Sequence, residues 1–255
     1  MKLRALIPTA GAHDLLQRAL DSVAPWDPLV VDDSPHGLGL SGALRTPGGL
    51  GFSRAVNLGL ERLQGEGADW VLLLNDDAHL LDNCLPQLLS ALDGEPEVRL
   101  VAPLLVGPRG VESAGLRYNP TSARLVQNRQ VPDGPVDVDA LSGACLLMDA
   151  TLRFDPAFSH AMEDVELSLR VRQSGGRCVL VPGARCWHQG GGTMPRDSAQ
   201  AQEHALRGHL RLHKGQPLRQ GLATAYALGQ VLREGGGIAR FAAIGRALRG
   251  PMTPR

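Results

Sequence analysis

The first hundred residues alternate short apolar runs with segments of helical spacing, and the runs end in polar or acidic residues. "LRALIP" (3–8) predicts a buried strand, and Leu15, Leu16, Leu20 and Val23 then recur on one helix face. "PLVVDD" (28–33) predicts a second strand, and Phe52, Val56, Leu60 and Leu63 mark a second helix. "DWVLLLNDD" (69–77) predicts a third strand, Asp82 is expected to cap a helix carrying Leu85, Leu88, Leu89 and Leu92, and "EVRLVAP" (97–103) predicts a fourth strand. A β-α-β-α-β-α-β order of this kind implies a parallel sheet with helices on both faces. Such sheets bind ligands at the carboxyl ends of their strands. Both acidic clusters, Asp32-Asp33 and Asp76-Asp77, fall there.

Residues 104–150 read as short strands and turns, among them the strand "VDALSGACLLMD" (138–149) with a glycine break. Helices are expected at 160–174, at 198–213 and at 217–233, the last opened by Pro217. "GGG" (235–237) separates a final basic amphipathic segment, "IARFAAIGRALRG".

The segment "EDVELSLRVR" fits two periods. Val165, Leu167, Leu169 and Val171 alternate as in a strand, while Met162, Val165 and Leu169 share a helix face. A Glu166–Arg170 pair at i, i+4 and the stop at Gly175-Gly176 favour the helix. In that helix Glu163 complements the dipole and Glu166 has Arg170, which leaves Asp164 without a structural role.

Composition narrows the classes. At 255 residues the chain suffices for one large or two small domains, and with aromatics at only 4% its core must rest on Leu, Val and Ala. It holds no run of about 18 apolar residues, as a membrane-spanning helix requires. The N-terminus reads as an immediate first strand, not as a secretory signal. Cys84, Cys145, Cys178 and Cys186 form no Cys-x-x-Cys, so reduced thiols in a cytoplasmic protein are expected. The net charge of zero divides unevenly: residues 196–255 hold 10 of the 26 basic but only 3 of the 26 acidic residues. That basic segment, with Arg240, Arg246 and Arg249 beside Ile238, Phe241, Ile244 and Leu248, suits a peripheral contact with the inner, anionic face of a membrane. It lacks the interleaved aromatics and docking motif of a nucleic-acid binder.

Two motifs bear on chemistry. "GLGLSG" (37–42) has the spacing of a dinucleotide-binding turn, but "ALRTPGGLG" follows where the motif requires a helix, so a glycine-rich loop is expected. "LLLNDDAH" delivers Asn75, Asp76 and Asp77 to a strand end, where oxygen ligands suit a divalent cation holding a diphosphate. His79, two residues on, reads as a surface histidine.

With "LVVDDS", "GGLGFSRAVNLGLE" (48–61), "VLLLNDDAHL", "LSGACLLM" (141–148), the long block 154–193 ending "CWHQGGGT" and "HLRLH" (209–213), the sequence resembles the family 2 glycosyltransferases, especially their bacterial rhamnosyltransferase-like branch. The resemblance implies an α/β nucleotide-diphospho-sugar transferase (GT-A) fold, a Rossmann-like, mostly parallel sheet flanked by helices. A catalytic domain would span 1–195, with a nucleotide-sugar-binding half (1–103) and an acceptor half (104–195), and a basic helical extension 196–255. It implies an inverting transfer from a nucleotide-diphospho-sugar, a dTDP-rhamnose or UDP-sugar type donor, to a glycan, polysaccharide or lipid-linked acceptor, with Mn²⁺ or Mg²⁺. Pro8 and Thr9 would border the nucleotide, and Asp32 or Asp33 would bind the base or ribose. Arg54 and Asn57 are candidate donor contacts. Asn75, Asp76 and Asp77 fill the metal motif, Asp77 at its last position, and His188 would close the metal site. Asp164 matches the catalytic base. Three positions depart from the family: "IPTAGAHD" lacks its Tyr-Asn, Gly49 stands where many relatives have Asn, and Asn75 replaces an Asp. These departures suit the alternative reading, a non-catalytic sugar-nucleotide-binding protein on the same fold.

Overall fold

The computed structural model describes residues 1–11, 13–119, 121–122, 124–158, 161–190, 198–233 and 237–249. In chain order the elements begin β1 (Leu3–Thr9), α1 (His13–Val23), β2 (Leu29–Asp32), β3 (Leu44–Arg45), α2 (Phe52–Gly65), β4 (Trp70–Leu74), β5 (Ala78–Leu80) and α3 (Cys84–Ser90). There follow β6 (Val98–Gly107), β7 (Gly110–Ser113), β8 (Leu116–Asn119), β9 (Arg124–Gln127), β10 (Val136–Asp137), β11 (Cys145–Asp149), α4 (Glu163–Gln173) and β12 (Arg177–His188). The chain closes with α5 (Ala199–Leu212), α6 (Pro217–Arg233) and α7 (Ile238–Leu248).

The main sheet runs β10-β12-β6-β11-β4-β1-β2-β3, with β5 and β7 pairing off this path. The four expected strands appear as β1, β2, β4 and β6, and β1 lies parallel to both β2 and β4. The alternation alone does not show that β11 enters antiparallel between β4 and β6. Every residue from Cys145 to Met148 is buried, as a central strand covered on both faces requires.

Alternate residues of the central strands face opposite helix layers. Leu6, Val71 and Leu73 pack with Val56, Leu60 and Leu63 of α2 and with Leu167 and Val171 of α4. Ala5, Ile7, Leu72 and Leu74 pack on the other face with Leu16, Ala19 and Val23 of α1 and Leu85 and Leu88 of α3. Gly59 lets α2 approach the sheet, because a Cβ there would sit 2.9 Å from Val31 Cγ2.

Some local expectations change. Asn83, not Asp82, precedes α3, in a left-handed conformation (φ 57) that Asn tolerates better than most residues. "EDVELSLRVR" is helix, and Arg170 Nε donates to Glu166 Oε1 at 2.8 Å. His79 is half-buried and stacks on Trp187, ring centroids 5.1 Å apart. All four cysteines are buried and free. No helix opens in 37–42, where Gly37, Gly39 and Gly42 all have positive φ.

The C-terminal helices pack on the body of the protein and on one another. Leu206, Val231, Ile244 and Ala247 form their common core, and Arg246 Nε donates to Glu203 Oε2 at 2.6 Å. Ile244 is 3% exposed, so it faces inward and not outward beside the arginines. Ile238, Phe241 and Leu248 remain outside. Gly208 of α5 meets the entry to α4: a Cβ there would lie 2.7 Å from Met162 Cγ and 2.8 Å from the Ala161 carbonyl oxygen.

Candidate active site

A pocket of about 560 Å³ opens at the carboxyl ends of β1 and β4. Pro8 and Thr9 reach it as β1 ends, and Asn75, Asp76 and Asp77 follow β4 into it. The other wall carries Ser142, Gly143, Glu163 and Asp164.

Sheet pairing brings Asp77 and His188 together across 111 residues of sequence. His188 lies opposite Ala78 in the β5–β12 ladder, and the Gln189 N–H donates to the Asp77 carbonyl at 3.0 Å. The His188 Nε2 to Asp77 Oδ1 distance is 3.2 Å, and His188 Nδ1 lies 3.0 Å from Glu112 Oε1. Burial would lower the imidazole pKa, but hydrogen bonds and charge from Asp77 and Glu112 outweigh it and raise the value to about 9. The two carboxylates thus favour a proton on His188 when no metal is bound, and a metal at Nε2 would take that proton's place.

Glu163 and Asp164 open α4, after Met162 in a left-handed conformation (φ 69). Asp164 Oδ2 accepts from the Gly143 N–H at 3.0 Å and its Oδ1 from the Val165 N–H at 2.8 Å. Burial raises the Asp164 pKa, although these backbone donors pull it back. Glu163 Oε2 is buried without a hydrogen-bond partner. Burial first, and then the neighbouring Asp164, push the Glu163 carboxyl up to about 8. Glu163 stands in the first turn of α4, as expected, and there it also forms part of the pocket wall.

The remaining expected residues divide. Asp33 lines the pocket, but its carboxylate accepts from the Leu50 and Gly51 N–H groups, each at 3.0 Å, and from Thr46 Oγ1. It fastens the glycine-rich loop so that Gly49, Gly51 and Phe52 face the cavity. Asp32 does not line it: its carboxylate holds the Ser34 and Leu38 N–H groups at 3.0 and 2.7 Å. Arg54 is exposed and away from the pocket. Asn57 is engaged with the Phe154 backbone, donating at 2.8 Å and accepting at 2.9 Å, so its amide ties α2 to the chain before α4.

Glu112, Gln127 and Glu163 were not expected in the pocket. Glu112 and Gln127 sit in short strands with no local signal of chemistry, and only the fold carries them to His188 and to the cavity. Gly143 did leave a signal, the glycine break in "LSGACLLM".

A divalent ion fits the Asp77–His188 pair. Asp77 offers a carboxylate, Glu112 on Nδ1 fixes the imidazole as outer partners of metal-binding histidines do, and Asn75 Oδ1 is a buried oxygen without a partner. Among the described residues no group of three or more His, Cys, Asp or Glu side chains is placed to hold a metal alone. Protein ligands would therefore share the ion with substrate phosphates, as is usual for Mg²⁺ sites.

The sheet order and the pocket at its strand ends define a GT-A nucleotide-diphospho-sugar transferase fold, and solved structures share it. GalNAc-T7 with UDP, GalNAc and Mn²⁺ superposes with a TM-score of 0.65 at 16% identity, over 84% of this chain and 48% of that one. S. aureus TarS 1-349 in complex with UDP-GlcNAc gives 0.59 at 14% identity, over 98% and 81%. The mannosyltransferase PcManGT from Pyrobaculum calidifontis, in complex with GDP-Man and Mn²⁺, gives 0.55 at 15%, over 97% and 80%.

Within that fold, the model of the glycosyl transferase family 2 matches residues 42–145. It is 29% identical to an N-acetylglucosaminyl-diphospho-decaprenol L-rhamnosyltransferase of Mycobacterium tuberculosis, over 61% of each chain. The chain thus spans about three fifths of the length of the curated relatives it matches.

Proposed function

We propose that this protein is an inverting glycosyltransferase. It moves a sugar from a nucleotide-diphospho-sugar to a hydroxyl of a glycan, polysaccharide or lipid-linked acceptor. The observation that carries the reading is one pocket lined by the Asn75–Asp77 strand end, His188 and the Glu163–Asp164 pair. The similarity to a rhamnosyltransferase supports a dTDP-rhamnose type donor, and the neighbour bound to UDP-GlcNAc supports a UDP-sugar as the other donor type.

Each wall has a task. Pro8, Thr9 and the loop held by Asp33 border the nucleotide. Asp76 and Asn75 face the diphosphate side, with Asp77 and His188 as ligands of Mn²⁺ or Mg²⁺. When bound, that ion would offset the negative charge growing on the leaving diphosphate. Asp164 takes the proton of the acceptor hydroxyl as its oxygen attacks the anomeric carbon from the face opposite the diphosphate. The Gly143 and Val165 N–H groups fix the Asp164 carboxylate for this step. Asp32 and Asn57 have supporting roles: they hold the loop and helix that frame the donor side, whereas Arg54, exposed and outside the pocket, takes none.

The acceptor reading extends to a membrane surface. No helix among the described residues is long and apolar enough to cross a membrane. Yet α6 and α7 expose Leu218, Leu222, Leu232, Ile238, Phe241 and Leu248, with Arg233 and Arg249 nearby in sequence. This face suits peripheral contact with an anionic leaflet.

A donor panel tests the proposal. The chain is incubated with UDP-, GDP- and dTDP-sugars and a lipid-linked or glycan acceptor, with Mn²⁺ or with a chelator, and nucleotide release is measured. Acceptor-dependent release with one donor, abolished by the chelator, is the expected result. Donor binding without release under every condition would favour the non-catalytic alternative.

A further inference from the structure

A second cleft, of about 830 Å³, lies on the other side of α4. Glu163 and Asp164 at the start of α4 face the pocket described above, whereas Glu166, Leu169, Arg170 and Arg172 face this cleft. Its remaining walls are Tyr118 of β8, the segment Asp155–Phe158 and the turn between α5 and α6. His213 in that turn is buried and stacks on Tyr118, ring centroids 5.9 Å apart and 18° from parallel.

The charges in the cleft do not cancel. Glu166 is paired with Arg170, and Arg172 Nη2 lies 3.4 Å from Asp139 Oδ1. Asp155 accepts from the Ala157 N–H at 2.8 Å. Three cations then stand against that single unpaired carboxylate. Arg211 donates to the Ala157 carbonyl at 2.6 Å and has no acid partner. Lys214 is exposed, and Arg219 is half-buried; neither side chain makes a hydrogen bond or an ion pair among the described residues. A half-buried guanidinium lacking an acceptor is a group whose five donors await a planar or tetrahedral anion. Burial, and then the nearby Arg219, lower the proton affinity of His213, so the aromatic wall adds no competing charge.

We propose that this cleft binds a phosphate-bearing ligand through Arg211, Lys214 and Arg219, with the Tyr118–His213 stack as its apolar wall. The site is separate from the donor pocket and does not depend on the transfer reaction. It adjoins the helix that carries Asp164, so its occupant touches the outer face of the element that supplies the proposed base.

The test uses the full chain, without added divalent metal, and inorganic pyrophosphate as the probe. Binding is followed by calorimetry for the wild type, for Lys214→Gln/Arg219→Gln, and for Asp77→Asn as a donor-pocket control, each checked for an unchanged melting temperature. Loss of at least about tenfold in affinity in the double variant, with the Asp77→Asn protein unaffected, supports the cleft. Unchanged affinity in the double variant overturns it, and so does loss of all binding in Asp77→Asn. Flotation with vesicles of phosphatidylcholine, with and without phosphatidic acid, separates the sources. Vesicle binding that pyrophosphate competes away and the double variant loses assigns a lipid phosphate. Pyrophosphate binding without such competition assigns a soluble one.

Discussion

The Gly143 N–H donates to Asp164 Oδ2 at 3.0 Å, and a Cβ on Gly143 would lie 3.4 Å from Asp164 Cβ and 3.8 Å from Phe52 Cζ. The loop before β11 therefore orients the carboxylate and shapes the pocket beside it. Gly143 has no left-handed φ, so a methyl group there meets no backbone strain. Gly143→Ala is expected to melt within a few degrees of wild type while raising KM for donor or acceptor. A thermal melt and steady-state kinetics check it, and an unchanged KM would count against the pocket wall.

Asp164→Asn keeps the shape of the side chain and removes the proposed base. Donor affinity should persist while kcat falls by about 10²–10⁴-fold, the usual contribution of a positioned base. Full transfer activity in this variant would remove Asp164 from that role.

Glu163 separates the two acids of the pair. Its pKa of about 8 leaves it largely neutral at pH 7, unsuited to taking a proton. Glu163→Gln should accordingly retain transfer within about tenfold, against the larger loss at Asp164. A loss as deep as that of Asp164→Asn would make Glu163 the base instead.

The same carboxyl links stability to pH. A group whose folded-state pKa is raised binds more protons folded than unfolded, so it stabilises fully below its ordinary pKa. For Glu163 that contribution is present below about 4.5 and is lost as the pH rises through about 8. The melting temperature of the wild type should therefore fall between these limits, and less steeply in Glu163→Gln. Parallel pH profiles for the two proteins would show that Glu163 is not a buried proton site.

Gly208→Ala tests the clamp of α5 on the entry to α4. A Cβ would meet the Ala161 carbonyl oxygen at 2.8 Å, a backbone atom that cannot swing aside. A destabilisation of about 1–3 kcal/mol is expected, as for overpacked interiors, together with a lower kcat because Met162 and Glu163 must shift. A loss of stability with kcat intact would mean that the clamp supports the fold alone.

The membrane-facing reading of α6 and α7 is tested by point substitution, because α7 is packed through Ala243 and Ile244 and its removal would open a core. Ile238→Glu and Leu232→Glu, at positions 90% and 70% exposed, should fold normally and lose co-sedimentation with anionic vesicles. Undiminished sedimentation of both would place the contact elsewhere.

The sequence by itself determined the framework. Short continuous apolar runs and apolar residues at helical spacing marked β1, β2, β4 and β6 and the helices between them, because burial on both faces of a sheet or under one helix face imposes those patterns locally. The acids after β4 were legible as a strand-end cluster, and Asp164 as an acid without a local partner. Both His188 and Asp164 lie beyond the residues 42–145 that the family model matches.

The tertiary structure alone decided how these pieces meet. It inserted β11 antiparallel, put His188 opposite Ala78, and brought Glu112 to the imidazole from 76 residues away. It turned Asn57 and the carboxylate of Asp32 toward the backbone and left Arg54 at the surface. Local sequence carries no record of such choices, because ladder register and helix packing are set by partners distant in the chain. The basic C-terminal segment shows the same division: its charge was legible from composition, but which arginines face solvent and which hold Glu203 was fixed by packing.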